Sequence, residues 1–215
     1  MDCKATVPLG EFSRGGRTRG DVKACDHDLG CQAKYIPCGV VDEDTGQLSI
    51  TFGNSAKTSD FIVDALEACW YALPAHEQHA TAQLQLKMDN GPESSGVRTQ
   101  FLHRLVQFAD QIGKPIQLLY FPPYHSKYNP IERCWSALEK KWNGVLLSCW
   151  EVILACAGRM TWRKMHPRIE RLPGTYATKI RVPAKEMKVY NARLERSSTL
   201  PKYDITITPK KPRGR

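Results

Sequence analysis

The stretch Gln83-Leu84-Gln85-Leu86-Lys87-Met88-Asp89-Asn90-Gly91-Pro92 alternates polar and apolar residues and then stops on an acid. Leu84, Leu86 and Met88 set against Gln83, Gln85 and Lys87 give the period of two that marks a strand with one buried face. Asn90-Gly91-Pro92 ends it as a turn. Asp89 therefore stands at a strand end, where open α/β sheets gather their ligands. Downstream, Val97 to Ile112 predicts an amphipathic helix. Phe101, Leu102, Leu105, Phe108 and Ala109 share one face, and Gly113 closes it. Ile116 to Phe121 predicts a second buried strand, stopped by Pro122-Pro123. Strand, helix and strand in that order imply parallel pairing.

The pattern continues in both directions. Asn129-Pro130 is a helix start, with Asn as cap and Pro at the first position. Ile131, Trp135, Leu138 and Trp142 follow one face of that helix, and Asn143-Gly144 ends it. A further helix is expected from Cys149 to about Trp162. Toward the N-terminus, Asp2 to Leu9 reads as the end of one strand and residues 10–31 as a loop. Tyr35 to Val41 and Leu48 to Phe52 read as a hairpin around Asp42-Glu43-Asp44-Thr45-Gly46. Ser59 is expected to cap the next helix. Beyond Pro167 the prolines break up a basic stretch. The order predicts an α/β fold, a ribonuclease-H-like mixed sheet flanked by helices over residues 1–165. A basic, mostly irregular C-terminal arm is expected over 166–215.

Composition narrows the class. The chain has 215 residues, 41% hydrophobic and 25% charged, enough for one sizeable domain and too apolar for global disorder. No run reaches the roughly 18 apolar residues of a membrane span, and residues 1–20 hold no signal-peptide core. A cytoplasmic location is expected. None of the eight cysteines forms a C-x-x-C pair, and Cys25, His27, Cys31 and Cys38 match no standard zinc knuckle, so free thiols are expected. No phosphate loop of the G-x-x-x-x-G-K-[ST] type and no G-x-S-x-G elbow is present. Charge is lopsided. Residues 1–150 carry 15 Lys/Arg and 17 Asp/Glu, and residues 151–215 carry 16 and 5. A basic segment on an acidic body suits a polyanion partner, because neutralised phosphates release counterions.

Three carboxylates are placed for chemistry: Asp2 in the first strand, Asp89 after the central strand and Glu132 in the first turn of a helix. Clustered carboxylates repel unless a cation neutralises them. Hard oxygen ligands suit Mg²⁺ or Mn²⁺. Two such ions, roughly 4 Å apart, activate a water or 3′-hydroxyl and stabilise the leaving oxygen of phosphoryl transfer.

These residues also carry a resemblance. Lys87-Met88-Asp89-Asn90-Gly91-Pro92 resembles the second-aspartate motif of DDE transposases. Phe121-Pro122-Pro123-Tyr124-His125-Ser126-Lys127-Tyr128-Asn129-Pro130-Ile131-Glu132 resembles their Pro-Pro…Asn-Pro-x-Glu motif, shared with mariner-like elements and their bacterial relatives. Asp2-Cys3-Lys4-Ala5, Gly10 to Gly16, Asp26-His27-Asp28, Met160-Thr161-Trp162 and Tyr203 to Pro209 are similar to the ISAzo-type bacterial insertion-sequence transposases. The resemblance implies Asp2, Asp89 and Glu132 as a catalytic, metal-binding triad. It also implies double-stranded DNA as partner at element ends and target, strand transfer after hydrolysis, and self-association. Members carry a helical DNA-binding region before the first aspartate, so an N-terminally truncated form is expected. Two other readings fit the same residues. One is a remnant that binds DNA through 151–215 without cutting. The other is a metal-dependent nuclease that cuts without joining.

Arg14, Arg17 and Arg19 around Gly15-Gly16 and Lys127 ahead of the acid helix are candidate phosphate contacts. So are Arg163, Lys164, Arg168, Lys210 and Lys211 of the basic segment. Asp26, His27 and Asp28 are either a solvated loop or further active-site groups.

Overall fold

A computed structural model describes residues 1–10, 33–123, 125 and 128–210. It is a mixed α/β fold with two mixed sheets and, among the described residues, six α-helices. Its contacts divide into two units. A hairpin unit comprises Asp2–Ala56 and Pro130–Thr175, and a second unit comprises Met1, Lys57–Asn129 and Tyr176–Arg215.

The hairpin unit is built on β3 (Ala33–Val41) and β4 (Leu48–Gly53), antiparallel from Ile36↔Gly53 to Val41↔Leu48. The turn between them has a local cause. The Asp42 carboxylate accepts from the backbone N–H of Asp44 at 2.9 Å and from the Thr45 hydroxyl at 2.7 Å, and Gly46 takes a φ of 81°.

The single N-terminal strand expected over residues 2–9 is instead two, β1 (Asp2–Cys3) and β2 (Val7–Leu9), both antiparallel to β3. Cys3 pairs with Cys38 and Val7 with Tyr35, so three residues face two across the gap. That is a bulge. Its cause is Pro37. Lys4 donates to the Pro37 carbonyl at 2.9 Å, and proline has no N–H to return the bond.

The other edge is β7 (Arg168–Leu172), parallel to β4 from Ser49↔Arg168 to Gly53↔Leu172. Helices α4 (Pro130–Trp142) and α5 (Trp150–Gly158) join Leu48, Ile50 and Phe52 in one core with Ile131, Trp135, Leu138, Trp142 and Ile153. The Trp150 ring lies 5.3 Å from those of Tyr35 and Phe52, tilted to the first and edge-on to the second, and the Arg171 guanidinium lies 5.4 Å over the Tyr35 ring. The α5 helix stops at Gly158, short of the expected Trp162. A tight Trp162–Met165 bridge follows.

The second unit holds the strand–helix–strand element. Its strands β5 (Leu84–Met88) and β6 (Ile116–Tyr120) pair in parallel and are joined by α3 (Thr99–Ile112), which ends on Gly113 with φ 66°. Beside them lie α1 (Ser59–Tyr71), packed on α3, and the short α2 (Ala75–Ala80). Thr58, not Ser59, caps α1 by accepting from the Phe61 N–H at 3.2 Å. The Ser59 hydroxyl instead donates to the Glu93 carbonyl at 2.6 Å.

The C-terminal segment expected to be mostly irregular holds regular elements among its turns and loops over the described residues 166–210. Besides β7 it supplies α6 (Ala184–Asn191), β8 (Leu194–Arg196) and β9 (Asp204–Ile207), with β9 antiparallel to both β6 and β8. These elements are short and polar, so periodicity is weak. The prolines punctuate them and do not prevent them. Arg193 secures this return by a paired hydrogen bond to the Asp110 carboxylate and by donating to the Thr208 carbonyl.

No helix among the described residues is long and apolar enough to cross a membrane. In the second unit Arg104 on α3 binds three acids of α1, reaching Asp60 at 3.0 Å, Asp64 at 2.7 Å and Glu67 at 3.2 Å. Burial opposes the guanidinium charge, and its hydrogen bonds to Asp64 and Asp60 more than reverse that penalty. Arg104→Met removes the cation shared by three partly buried acids, and a loss of about 2–3 kcal/mol is expected in urea unfolding. On the same helix His103 packs tilted against Tyr190 with ring centroids 4.5 Å apart, and burial holds its pKa below the ordinary value. The folded imidazole binds its proton less tightly than the unfolded one. Its contribution to stability is therefore complete above about pH 6.5 and declines as pH falls below it. His103→Phe is expected to flatten that acid limb in melts between pH 7 and pH 5.

Candidate metal centre

Asp2 is fixed by backbone pairing. It sits directly opposite Gly39 on β3, and directly opposed residues present the same face of a sheet. Gly39 packs against Ile131 and Trp135 of α4, so that face is the one α4 covers. Glu132 follows Ile131 in the first turn of α4 and is exposed. The helix N-terminus favours a negative charge there. Within the hairpin unit the two meet: one carboxylate oxygen of Asp2 lies within 4.8 Å of one of Glu132.

A second contact aligns the same two elements. Lys4 lies two residues beyond Asp2, and Glu139 lies two helical turns beyond Glu132, on the same stripe. The Lys4 ammonium is 2.7 Å from the Glu139 carboxylate. The other Glu139 oxygen accepts from the Trp142 indole N–H at 2.6 Å. The acid is thereby held from both sides. Lys4, Glu139 and Gly39 all escape the sequence reading. The sequence does hold signals for two of them: the seven-residue step from Glu132 to Glu139, and a glycine inside a strand.

Asp89 belongs to the second unit, in the position expected, directly after β5. Phe121 N–H donates to the Met88 carbonyl at 3.1 Å, which carries the β5–β6 pairing to the residue before it. Gly91 N–H donates to the Asp89 carbonyl at 2.9 Å. The Asn90 side chain accepts from Gly96 N–H at 3.3 Å, and the Tyr120 hydroxyl donates to the Ser94 carbonyl at 2.5 Å. The turn carrying Asp89 is thus tied to β6. In the same unit the Met1 nitrogen donates to the Lys87 carbonyl at 2.8 Å.

The donors are carboxylate oxygens, a hard set that fits Mg²⁺ or Mn²⁺ and not a thiolate metal. Cys3, Cys38, Cys69, Cys134, Cys149 and Cys156 are free thiols. Cys3 and Cys38 are direct cross-strand partners beside Asp2, and the contact with Cys3 together with burial pushes the Cys38 thiol well up.

The expected phosphate contacts fare unevenly. Arg163 and Lys164 occupy consecutive left-handed conformations, with φ of 46° and 67°. Such backbone is uncommon away from glycine. Arg163 packs over Gly46 and donates to the Glu43 carbonyl at 3.4 Å, so it braces the hairpin turn. Lys164 and Arg168 are exposed. Lys210 donates its backbone N–H to Asp110 at 2.7 Å, and its ammonium stands 3.7 Å from the same carboxylate. Arg14, Arg17, Arg19, Asp26, His27, Asp28, Lys127 and Lys211 lie outside the described residues, as do Cys25 and Cys31.

Two carboxylates this close repel in the absence of a cation. Glu132→Gln is expected to raise the melting temperature of the metal-free protein by about 2–4 °C, the shift that roughly 1 kcal/mol gives a chain of this size. It is also expected to abolish the further rise that Mn²⁺ gives the parent. Differential scanning calorimetry with and without Mn²⁺ reads both.

The family model for the Rhodopirellula transposase DDE domain matches residues 1–209, nearly the whole chain, and the chain belongs to that family. Comparisons with curated proteins and with solved structures returned no match. The mixed α/β architecture is compatible with a ribonuclease-H-like DDE domain, and transposases act on DNA.

Proposed function

We propose that this transposase domain cuts and joins DNA at a centre made of Asp2, Asp89 and Glu132 that holds Mg²⁺ or Mn²⁺. The observation that carries the reading is the Asp2–Glu132 pair, within 4.8 Å, in a member of a DDE family. Asp89 is the third ligand by chain connectivity. Met1 is bonded to Lys87 at 2.8 Å, Asp2 is the next residue after Met1, and Asp89 follows Lys87 by two. That connectivity supports one ion shared by both aspartates.

Bound metal supplies the activation of a water or 3′-hydroxyl and the stabilisation of the leaving oxygen. The chain's own residues do the positioning. Asp2 is set by its register with Gly39, and Glu132 by the buried face of α4. The Lys4–Glu139 pair keeps strand and helix aligned. The reaction is hydrolysis of a phosphodiester at the element's end, followed by attack of the freed 3′-hydroxyl on target DNA. Lys164 and Arg168, with Arg14, Arg17, Arg19, Lys127, Lys210 and Lys211, bind backbone phosphates, and Arg163 adds to them from the hairpin turn. Self-association accompanies the joining step.

The test is nicking of supercoiled DNA with Mg²⁺ or Mn²⁺, followed by strand transfer of a pre-cut end. The parent is expected to cut and join. Asp89→Asn and Glu132→Gln are expected to lose roughly two orders of magnitude or more, while salt-sensitive DNA binding persists. Cutting without joining would favour the nuclease reading. Binding without cutting would favour the inactive remnant.

A further inference from the structure

We infer that Gly39 is a positioning residue for the metal centre: the absence of a side chain there sets how closely α4 approaches β3, and so the separation of Asp2 from Glu132. The inference rests on the proposed metal-binding role of those acids. It assigns the pair's spacing to a residue that carries no functional group.

Gly39 has no positive φ, so backbone freedom does not explain it. Space does. A Cβ at this position would stand 2.5 Å from Ile131 Cδ1, 2.7 Å from Trp135 Cη2 and 2.8 Å from Trp135 Cζ2. All three are well inside van der Waals contact. Ile131 is fully buried and Trp135 is 4% exposed, so neither can swing away into solvent. The core around them is close-packed, and an added methyl group there displaces its neighbours.

The displacement has one direction. Asp2 is the cross-strand partner of Gly39, and Glu132 follows Ile131 in the chain. The methyl group therefore pushes apart the two elements that carry the acids, at the level of the acids. Ile131 is the residue on which the first turn of α4 rests, so Glu132 moves with it. Metal centres lose affinity when their supporting groups are disturbed, by roughly ten- to a hundredfold. The Lys4–Glu139 pair lies two turns further along α4 and resists a rotation, but not a lift of the first turn.

The experiment is a Mn²⁺ titration of the full chain, followed by the paramagnetic resonance signal of free Mn²⁺, with circular dichroism as the check on folding. Four proteins form a cycle: the parent, Gly39→Ala, Ile131→Val/Trp135→Phe, and the combination of all three changes. Gly39→Ala alone is expected to weaken Mn²⁺ binding by at least about tenfold. In the background where Ile131 and Trp135 are trimmed, the same change is expected to alter binding by less than about threefold, because the space now exists. Three results would overturn the inference: Mn²⁺ binding by folded Gly39→Ala equal to the parent's, an equal loss in both backgrounds, or loss of stability with affinity intact. Should Gly39→Ala alone fail to fold, the trimmed background decides. A folded triple variant that binds like its background supports the inference, and one that does not bind contradicts it. Failure of the parent itself to bind Mn²⁺ would instead sink the metal-centre reading, which keeps the two failures distinct.

Discussion

The packing of α4 against the β3–β4 hairpin holds two carboxylates within 4.8 Å of each other, an arrangement their own repulsion opposes. The opposing force is apolar. Ile131, Trp135, Leu138 and Trp142 on α4 meet Leu48, Ile50 and Phe52 in one buried cluster. Each large side chain so buried contributes roughly 1.5–3 kcal/mol relative to exposure. The sum far exceeds the cost of one like-charge pair near solvent. The core thus keeps Asp2 and Glu132 together against that repulsion. β1 is only two residues long because Pro37 cannot return a hydrogen bond to Lys4. Even so, it is long enough to register Asp2 against Gly39. Lys4 and Glu139 then fix the same strand and helix at a second point.

Much of this is legible in the chain itself, and what is not has physical causes. Strand β5 and helix α3 carry clean periods, because each has one buried and one wet face. Asp89 and Glu132 stand next to strong local signals, a turn after a strand and a proline at a helix start. The hairpin is legible for the same reason, its turn built on Asp42 and Gly46. The C-terminal strands are not. β7 reads Arg168-Ile169-Glu170-Arg171-Leu172, and its place is set by the parallel pairing with β4, a partner over a hundred residues away. Ile205 and Ile207 do alternate, but four residues are too few to stand out among prolines. The choice of Thr58 over Ser59 as cap turns on a tertiary bond from Ser59 to Glu93, which no local rule contains. Gly39 is legible only as an anomaly in a strand. Its meaning depends on the helix above it.

The basic charge of the last third also changes character on folding. Arg163 braces a turn, Arg171 lies over two aromatic rings, and Arg193 secures the return of the chain to β6. A net charge counted from sequence treats these cations alike. Lys164 and Arg168 are exposed.

In the proposed centre Asp2, Asp89 and Glu132 share a divalent ion. Anomalous diffraction from a crystal of the full chain grown with Mn²⁺ tests it most directly. The expected result is anomalous density coordinated by oxygens of all three carboxylates at about 2.0–2.6 Å. A Mn²⁺-bearing crystal with no density at Asp2 and Glu132, or with Asp89 turned away from an ion they hold, would contradict it.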